Sequence, residues 1–582
     1  MNLPPLQEIQ NQRDMISEFK GYNHNIVVSP NQFYDMGNMT ADYYPVLSPR
    51  HIRGHLKTFT KPNGLFAKDH LCWVDGTSFC YQGEVIGTVT DTEKQFVSMG
   101  AYVLIFPDKK IFNTLTGDFD SLENTVVSTG TVTFTLSKQD GTAYLSYAVS
   151  ETAPVSPTDG QLWIDISSVP HSLKQYSLYS ETWVQVLTTY IKIAGTGIGV
   201  GFKTLDGITI SGCSDAYFNN TFVIQFVSDD MIVVTGIADT VLSQETPITI
   251  KRIIPTMDFV TEMNNRIWGC SSVNHEIYAC KLGDPFNWNC FAGLSTDSYA
   301  LPIGSNGDFT GAAAHLGYVL FFKEDVIHKI YGSKPANYQL VDTNARGVEK
   351  GSHRSLVLVN ETLYYKARNS VCSYEGSLPT DISADLGDVK YKNAVAGTIG
   401  NKYYISMQDT ANAWHMFVFD QVKGTWHKED ATPAKYFARI GEELYYVNVT
   451  DKGLYSVSGN TAMYVIVDDV EVLYEGEDVS TEGNVVWFVQ TGDMGTDSPD
   501  NKYISKVVIR LSIETGSSFT VWMQYDSSGV WEKKCTLYGS SKNSFTVPII
   551  PKRCDHMKIK LSGAGDCKVY SISKVIEQGS EI

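Results

Sequence analysis

Residues 360–376, NETLYYKARNSVCSYEG, and residues 441–459, GEELYYVNVTDKGLYSVSG, share the pattern that decides the fold. Each stretch has a polar or glycine turn, an apolar and aromatic strand, a second turn, and another strand ending near Tyr and Gly. Residues 317–332, GYVLFFKEDVIHKIYG, follow the same order. Strands bounded by turn residues in this way predict β-hairpins.

The hairpin recurs along the chain. Further copies begin at Asp69, Gly100, Asn265 and Gly400, and the five copies from Asn265 to Gly441 are separated by 52, 43, 40 and 41 residues. A repeat of roughly 40–50 residues built on hairpins is typical of a β-propeller, with one four-stranded blade per repeat. The pattern predicts about seven blades. The alternative is an ordinary β-sandwich with unrelated hairpins, because the spacing is regular in only one half of the chain.

Composition also favours β-structure. The 582 residues include 33 Tyr and 10 Trp, aromatic residues make up 12%, and charged residues only 19%. Thr, Val and Tyr occur in short runs, and stretches with helical periodicity are nearly absent. Such a sequence predicts an all-β chain, and its length predicts roughly two to four domains.

The net charge of −18 limits the class of partner. Neutralising DNA phosphates requires Lys and Arg, so a basic nucleic-acid-binding surface is not expected. Any DNA that meets this protein would pass through a lumen. The first residues, MNLPPLQEIQNQRDMISEF, lack the apolar core of a signal peptide, and no stretch is apolar enough to cross a membrane. We therefore expect synthesis in a cytoplasm without secretory export or a membrane anchor.

The ten cysteines include no CxxC pair. Several lie in strand-like segments beside aromatic residues, as Cys72 does before Trp73. This placement predicts buried free thiols in a reducing compartment, without disulfides. Cys270, Cys280 and Cys290 are evenly spaced but lack the tighter pairs of a zinc site, so no metal and no cofactor is expected.

The repeat divides the chain into segments. Between the second and third hairpins, residues 127–250 have a different texture, which predicts a β domain inserted at a loop. The alternation in residues 502–513, KYISKVVIRLSI, predicts a C-terminal β-sandwich of jelly-roll type. The predicted domains are an N-terminal arm with the closing strand (1–54), the first blades (55–126), the inserted β domain (127–250), the remaining blades (251–464) and the C-terminal sandwich (465–582). Within the arm, Ile26–Val28 is the predicted closing strand.

No motif of an enzyme stands out. The glycine-rich GTGIGVGF at 195–202 has Val200 where a dinucleotide-binding loop needs glycine, and a strand-like segment follows it. GxSxG, HExxH, Walker and EF-hand patterns do not occur. The sequence predicts no enzyme, although the carboxylate pair of a glycosidase would leave no linear signature.

Residues 163–177, WIDISSVPHSLKQYS, combine with Trp183 into an aromatic hairpin. Such a hairpin could stack on sugar rings or pack under a protein partner. The simpler interpretation is that Trp163 and Trp183 form the core of a small domain.

Three stretches carry a resemblance to a known family. They are FKGYNHNI with FYDMGNMTADYYPVLSPR in residues 19–50, PTDGQLWIDISSVPHSLKQYS in residues 157–177 followed by WVQV, and PKRCDHMKIKLSGAGDCKVYSISKVIEQGSEI at 551–582. Together they resemble the propeller-containing tail hub or nozzle proteins of short-tailed bacteriophages, the DNA-stabilisation proteins. The resemblance implies a ring of about six copies, a hexamer, docked below the portal and adaptor around the DNA exit channel. The family has no catalytic residues to carry over, and the inserted 127–250 domain is a departure from it.

These observations favour a structural virion protein of a phage tail, assembled in the bacterial cytoplasm. Ring contacts are expected from residues 127–250 and 465–582, with Trp163, Trp183 and Trp531 as the protein-interface candidates, because buried aromatics dominate binding energy. An acidic lumen would let DNA pass without specific binding. One alternative is a tail-tip adhesin that binds host-surface glycans through the inserted domain. Another is a propeller enzyme acting on cell-wall polysaccharide.

Overall fold

The computed structural model describes residues 11–467, 470–474, 479–496 and 501–578. Throughout these residues the chain is built from β-strands, interrupted by four single-turn 3-10 helices, Ala216–Phe218, Pro335–Asn337, His353–Ser355 and Ala384–Leu386. It forms two compact units. Unit 1 comprises Met1–Lys94, Phe321–Ile327 and Asp342–Ile582, and unit 2 comprises Gln95–Leu320 and His328–Val341.

Seven antiparallel sheets, six of four strands and one of five, repeat along the chain, which confirms the predicted β-propeller. We number these blades in chain order. Blade 1 has strands Pro62–Lys68, His70–Asp75, Ser78–Tyr81 and Glu84–Thr88; blade 2 has Gln95–Met99, Tyr102–Phe106, Lys110–Asn113 and Phe119–Ser121; blade 3 has Phe259–Met263, Arg266–Ser271, Glu276–Ala279 and Tyr299–Pro302; blade 4 has Gly311–His315, Tyr318–Phe322, Val326–Tyr331 and Gln339–Asn344. Blade 5 has Val357–Val359, Thr362–Ala367, Ser370–Tyr374 and Thr380–Asp381; blade 6 has Tyr391–Ile399, Lys402–Asp409, Trp414–Asp420 and Thr425–Lys428; blade 7 has Ala434–Ile440, Glu443–Asn448, Gly453–Ser456 and Gly54–Thr58, with Ser480–Thr481 beyond it.

Every predicted hairpin forms the second and third strands of a blade, and its first residue explains why the repeat is visible. These residues lie in tight turns and all have positive φ, between 52° and 77°: Asp69, Gly100, Asn265, Gly317, Asn360, Gly400 and Gly441. Only Gly, Asn and Asp reach this region readily. A Cβ on the four glycines would meet no atom within 4 Å, so backbone conformation rather than space selects them.

The closing strand differs from the prediction. Gly54–Thr58 pairs with Gly453–Ser456 and supplies the fourth strand of blade 7, whereas Ile26–Val28 lies in an irregular segment with Ile26 95% exposed. Leu56 is fully buried between blades 7 and 1, in a core with Trp73 and Tyr436. The prediction of Ile26–Val28 was wrong because a short apolar run does not bury itself unless a partner edge faces it.

Two buried arginines fix the start of the closing strand. The Arg53 guanidinium donates to Glu429 Oε2 at 2.6 Å and to Asp430 Oδ2 at 2.7 Å. Arg50 donates to both carboxylate oxygens of Glu482, at 2.6 and 3.1 Å, and the Arg53 amide donates to the same carboxylate at 2.9 Å. These contacts join the segment before blade 7, the closing strand and the start of the C-terminal region within unit 1.

The insertion between blades 2 and 3 forms its own sheets. Its neck is the antiparallel pair Asn124–Val127 and Thr249–Arg252, in which Val127 faces Thr249. An eight-stranded sheet continues from the neck through Gly207–Ser211, Thr221–Ser228, Met231–Thr235, Tyr190–Thr196, Thr129–Ser137 and Leu242–Gln244. Its core, which includes Phe134 and Ile193, draws its buried members only from residues 132–250. The glycine-rich segment 195–202 is a bend at the end of one of these strands.

Because this core is self-contained, deleting residues 128–248 is expected to leave a folded protein. An Asn-Gly turn placed between Val127 and Thr249 suits a two-residue hairpin, since the two residues already face each other across the ladder. The deletion also removes Asp206, the ion-pair partner of buried Arg252 at 2.9 Å, and Arg252 then becomes solvated. Solubility and an unchanged thermal unfolding midpoint for the remainder are the expected results. Aggregation of the deletion variant would mean that the insertion belongs to a common core.

One curled sheet of seven strands forms the C-terminal β domain. Its order is Asn11–Ile16, Cys567–Gln578, Lys502–Tyr525, Met557–Ala564, Val486–Thr491 and Phe33–Gly37, with Glu532–Thr546 along the other side of Lys502–Tyr525. The 24-residue central strand shifts register around residues 513–518, pairing with Cys567–Gln578 before this point and with Met557–Ala564 after it. Both halves contribute to one core, through Leu511 and Phe519 for example. Two separate two-stranded sheets complete the described strands of unit 1. One pairs Met39–Thr40 with Ser48–Pro49, and the other pairs Met463–Val467 with Val470–Tyr474.

All ten cysteines are free thiols, and Cys535 alone is partly exposed while the other nine are buried. Burial raises the pKa of Cys72 and of Cys280 to about 12, so these thiols are poor nucleophiles at neutral pH. We expect a thiol reagent to react rapidly with about one group in the native protein, at Cys535. The denatured, unreduced protein should expose ten thiols; a count near zero would contradict the predicted reducing compartment.

Candidate protein interface

A small sheet within the insertion carries two of the three predicted interface residues. We call it the aromatic sheet; its strands are Ala148–Ser150, Leu162–Asp165, Ser172–Ser177 and Thr182–Gln185. The first two strands pair in parallel, so that Ala148 faces Trp163, and the others are antiparallel. Only Leu136, Ile164 and Leu173 are fully buried beneath it. With so few core residues, the aromatic side chains hold much of this sheet together.

The structure brings Trp163 and Trp183 together. Their rings meet edge to face with centroids 5.3 Å apart, and Tyr176 lies 5.4 Å from Trp183. Trp163 is 5% exposed, its indole N–H donates to the Ser150 carbonyl at 3.0 Å, and the Lys174 ammonium lies 5.0 Å from its ring. Trp163 therefore offers little surface to a partner. Its predicted place in an interface stays a prediction, in which it could act only by positioning Trp183.

The Lys174 ammonium over Trp163 is itself fixed by a carboxylate. Lys174 Nζ lies 2.7 Å from Asp165 Oδ2, and Ser167 donates through both its hydroxyl and its amide to the other oxygen. The hydrogen bonds from Lys174 and Ser167 lower the pKa of Asp165 to about 2. The carboxylate is therefore ionised at neutral pH and holds the lysine above the indole ring.

Exposed apolar side chains at the edge of the aromatic sheet were missed from the sequence. The turn between its last two strands carries Leu178 and Tyr179, and Tyr179 is fully exposed. Asp159 Oδ1 accepts a hydrogen bond from the Leu178 amide at 2.8 Å and so shapes this turn. The same sheet and its loops expose Leu145, Val155, Val169, Val184 and Leu187. Apolar residues inside a turn, where polar ones are usual, were the available signal.

Two open clefts flank residues 159–160 of the insertion. One has a volume of about 670 Å³ and is lined by residues 143–148 and 158–162, including Tyr144 and Tyr147. The other, of about 570 Å³, is lined by Tyr176 and residues 184–186. Among the described residues that line these clefts, Asp159 is the single carboxylate, so neither presents the carboxylate pair of a glycosidase. Both fit an extended segment or a sugar chain better than an enclosed small ligand.

The third predicted residue, Trp531, lies in unit 1. It is half-buried, directly before the strand Glu532–Thr546, and Lys560 Nζ lies 5.9 Å from its ring and 5.1 Å from that of Phe488. Similar contacts join Lys542 to Tyr570 at 3.8 Å and Lys568 to Tyr43 at 4.0 Å. The C-terminal sheet thus repeatedly places an ammonium over an aromatic ring, which suits a surface that is both basic and aromatic.

The strand Glu532–Thr546 forms an edge of the C-terminal sheet. It pairs on one side with Lys502–Tyr525, and within the described part of the chain no strand pairs with its other side. Most of its residues are exposed or half-exposed, including Tyr538. An unpaired edge of 15 residues is a surface on which another chain can dock.

Charge is divided unevenly along the sequence. Residues 502–582 contain 12 Lys and Arg against 7 Asp and Glu, whereas residues 1–501 contain 34 against 57. Within the insertion, residues 127–250 contain 4 Lys and Arg against 11 Asp and Glu. The C-terminal region 465–582 as a whole contains 12 Lys and Arg against 17 Asp and Glu, so the positive excess is confined to residues 502–582.

Comparison with known proteins informs the fold alone. No protein-family model matches the sequence, and the comparison with curated proteins finds no match. Among solved structures, the chain is similar to a putative 6-phosphogluconolactonase of Bacteroides fragilis (11% identity, 76% of this chain and 96% of that one, TM-score 0.25). It is also similar to Kluyveromyces lactis Hsv2 (10%, 63% and 95%, 0.25) and to an exo-β-1,3-galactanase of Phanerochaete chrysosporium (8%, 54% and 94%, 0.19). With TM-scores this low, the propeller assignment rests on the strand order of the seven blades.

The described residues contain no cluster of three or more His, Cys, Asp or Glu side chains that could hold a metal ion. No helix among them is long and apolar enough to span a membrane.

Proposed function

We propose that this protein is a structural component of a bacteriophage tail, a nozzle or hub that forms a ring around the DNA exit channel below the portal and adaptor. The observation that carries the proposal is the pair of appended β regions, each of which exposes a surface suited to a neighbouring chain. One presents Leu178 and Tyr179 on a hairpin turn, and the other presents the unpaired edge strand Glu532–Thr546. Surfaces of this kind are costly on a monomer and typical of an assembly.

The proposed role needs no catalytic residue and no cofactor. In the ring, an excess of Asp and Glu along the lumen repels DNA phosphates and lets the genome slide past. The net charge of −18 supports this part of the proposal. The sequence resemblance to tail nozzle proteins of short-tailed phages supports the location in the virion and the copy number of about six.

The test measures mass and DNA affinity together, on the purified protein and on the particle that contains it. We expect a ring of about six copies that binds duplex DNA weakly at physiological salt. Each stable contact in that ring should bury above roughly 1,000 Å². A strict monomer in the mature particle, or tight and salt-sensitive DNA binding, would refute the channel role.

A second candidate is a tail-tip adhesin, and the two clefts of the insertion favour it. Tyr144, Tyr147 and Tyr176 line these clefts, and aromatic faces stack on sugar rings. In the full-length protein, Tyr147→Ala with Tyr176→Ala should abolish binding to host-cell glycans if this role is correct. Under the nozzle proposal the same variant keeps its ring mass, and glycan binding is absent from the wild type as well.

A further inference from the structure

We propose that Ser527, His556 and Asp555, at one end of the C-terminal sheet, form a catalytic triad that hydrolyses neutral carboxylic esters with a short acyl group. Ser527 is the nucleophile and His556 the general base, and Asp555 positions the histidine ring. This activity goes beyond the nozzle role and does not depend on it, because every residue involved belongs to two adjacent loops of a single copy.

The ladder of the C-terminal sheet brings the two loops together. Tyr525, the last residue of the central strand, faces Met557, the first residue of a neighbouring strand. The turn after Tyr525 and the segment before Met557 therefore lie side by side. Asp526 joins them, because its amide donates to the His556 carbonyl at 3.0 Å and its Oδ1 accepts from the Asp555 amide at 2.7 Å.

The three side chains form a continuous series of hydrogen bonds. Ser527 Oγ lies 2.8 Å from His556 Nε2, and His556 Nδ1 lies 2.9 Å from Asp555 Oδ2. One neutral tautomer of the ring, with its proton on Nδ1, satisfies both contacts. In that tautomer Nδ1–H donates to the carboxylate, and Nε2 accepts from the serine hydroxyl. The ring is then in the form that a general base requires.

The nucleophile lies in a strained turn. Asp526 and Ser527 have positive φ values of 50° and 47°, and the Ser528 amide donates to the Tyr525 carbonyl at 3.1 Å, as in a type I′ turn. Glycine or asparagine usually occupies such positions, and serine does so at a cost in conformational energy. Strain of this kind is concentrated at functional sites.

The site is open enough for an ester carried on a larger molecule. Ser527 is exposed, and a Cβ on Gly529 would meet no atom within 4 Å. Within the described part of the chain, neither the Ser527 amide nor the Gly529 amide donates a hydrogen bond. Both amides are therefore available to stabilise the oxyanion that forms when the hydroxyl attacks an ester carbonyl.

The charges around the triad favour neutral substrates. Asp493 Oδ1 lies 3.5 Å from Ser527 Oγ and 3.7 Å from His556 Nε2. Lys558 Nζ, 3.4 Å from the same oxygen, compensates this charge, but the carboxylates of Asp526 and of the triad itself remain. The excess of negative charge repels anionic substrates and stabilises the imidazolium that forms during the reaction.

The reaction is an acyl transfer to Ser527 followed by hydrolysis. Ser527 Oγ attacks the ester carbonyl carbon while His556 Nε2 takes the hydroxyl proton. The same proton then passes to the alcohol oxygen as the bond between that oxygen and the carbonyl carbon breaks. Water attacks the acyl-serine, gives a proton to Nε2 and displaces Ser527 Oγ, which recovers that proton. The products are the alcohol and the carboxylic acid.

Hydrolysis of 4-nitrophenyl acetate by the purified full-length protein tests the proposal. We expect Ser527→Gly and His556→Gln each to lower kcat/KM at least about 100-fold. Glycine removes the hydroxyl and suits the positive φ, so the turn keeps its shape in this variant. Asp555→Asn should lower kcat at least about tenfold with KM unchanged, because Asp555 acts only through the histidine ring.

Labelling with a fluorophosphonate identifies the nucleophile directly. Peptide mass spectrometry should find the label on Ser527, because only an activated serine reacts with this probe. His556→Gln should abolish the labelling. Ser541→Ala changes an exposed serine in the strand Glu532–Thr546 and is the control, which should keep the hydrolysis and labelling of the wild type.

The outcomes distinguish the triad from the nozzle proposal. Wild-type hydrolysis no faster than that of Ser527→Gly, or a label on another residue, overturns the triad and leaves the ring unaffected. A monomeric wild type that hydrolyses the ester through Ser527 refutes the nozzle and supports the triad. The thermal midpoint and mass of Ser527→Gly should match those of the wild type, and this variant decides the result if His556→Gln does not fold.

Discussion

Replacing Arg53 by methionine is expected to lower the free energy of unfolding by about 3–5 kcal/mol. Arg53 is 3% exposed, and its guanidinium lies between Glu429 at 2.6 Å and Asp430 at 2.7 Å. Methionine fills part of the same volume but leaves Glu429, which is also buried, with only the more distant Arg50, whose Nε lies 3.8 Å from Glu429 Oε2. A buried carboxylate that loses its nearest counter-charge costs more than the lost hydrogen bonds themselves.

The position of Arg53 adds to the effect. It precedes Gly54–Thr58, the strand that completes blade 7 and packs Leu56 between blades 7 and 1. Weakening this anchor exposes an edge of blade 7. We expect the variant to show a lower denaturation midpoint and faster proteolysis in residues 50–60.

A matched exposed pair provides the control. Lys61 and Asp91 lie 2.7 Å apart in the same unit, but both side chains are about half exposed. Lys61→Met should therefore change stability by less than about 1 kcal/mol. The double variant Arg53→Met with Glu429→Gln should recover part of the loss, since it removes both charges. An Arg53→Met variant as stable as Lys61→Met would contradict the account.

The carboxylates of the same network make the protein less stable at acid pH. Burial alone would raise the pKa of Asp430, but the nearby Arg53 and Arg50 and the hydrogen bonds from Thr432 lower it. Burial would likewise raise the pKa of Glu482, and the bidentate bond from Arg50 lowers it. The stabilisation from both carboxylates is present above their unfolded pKa values and is lost as the pH falls below them.

The features of the fold that could be predicted from sequence are those set by the conformational preferences of single turn residues. Positive-φ turn residues such as Gly400 and Asn265 mark each hairpin, because the backbone there excludes most residue types. Blade number and the all-β class follow from counting these turns. No long-range information is needed for either conclusion.

Pairing between distant segments could not be predicted in the same way. The closing strand Gly54–Thr58 meets Gly453–Ser456 about 400 residues later. The arm strands Asn11–Ile16 and Phe33–Gly37 join the C-terminal sheet across still longer separations, since Asn11 pairs with Glu577 and Phe33 with Thr491. Nothing in the local alternation of an edge strand states which sheet it joins.

The same distinction between local features, which could be predicted, and long-range contacts, which could not, applies to the interface candidates. Trp163 and Trp183 were correctly expected to lie on one small β element, because they flank a hairpin in the sequence. Their exposure was not predictable, since it depends on which ring Lys174 and Ser150 cover. Tyr179 and the edge strand Glu532–Thr546 are visible as surfaces only once the sheets are assembled.

Acidification from pH 6.5 to 4.5 is expected to destabilise the protein through His427. This ring is buried in the last strand of blade 6, and its Nδ1 has no hydrogen-bond partner among the described residues. Burial, reinforced by the positive charge of Lys402, lowers its pKa from 6.5 to about 4. Lys423 acts in the same direction, and Asp420 and Asp42 oppose it.

The direction of the stability change follows from the linkage between proton binding and folding. A base whose folded pKa is depressed favours the neutral form, so its stabilisation is complete above the unfolded pKa of 6.5 and falls away towards pH 4. The loss for His427 is about 2–3 kcal/mol by pH 4.5. His353, whose pKa burial and the neighbouring Arg354 also lower to about 4, adds a loss of the same sign.

The N-terminal arm packs closely against His427. The Tyr22 amide donates to the Trp426 carbonyl at 2.6 Å, and a Cβ on Gly21 would lie 3.0 Å from His427 Cε1. A protonated ring therefore cannot gain water without lifting the arm from blade 6. Loss of arm protection in hydrogen exchange should accompany the fall in stability.

The variant His427→Leu removes the titrating ring. Comparing it with the wild type therefore isolates the contribution of His427 to the loss of stability at low pH. Urea unfolding of this variant at pH 7.5, 5.5 and 4.5 should show a smaller decline than the wild type, by about 2–3 kcal/mol at the lowest pH. His275→Asn, at an exposed residue with positive φ, removes a histidine without burial and should decline as the wild type does. If His427→Leu packs poorly at pH 7.5, His427→Gln serves in its place. Parallel curves for the wild type and both His427 variants would show that this ring does not control the response to acid.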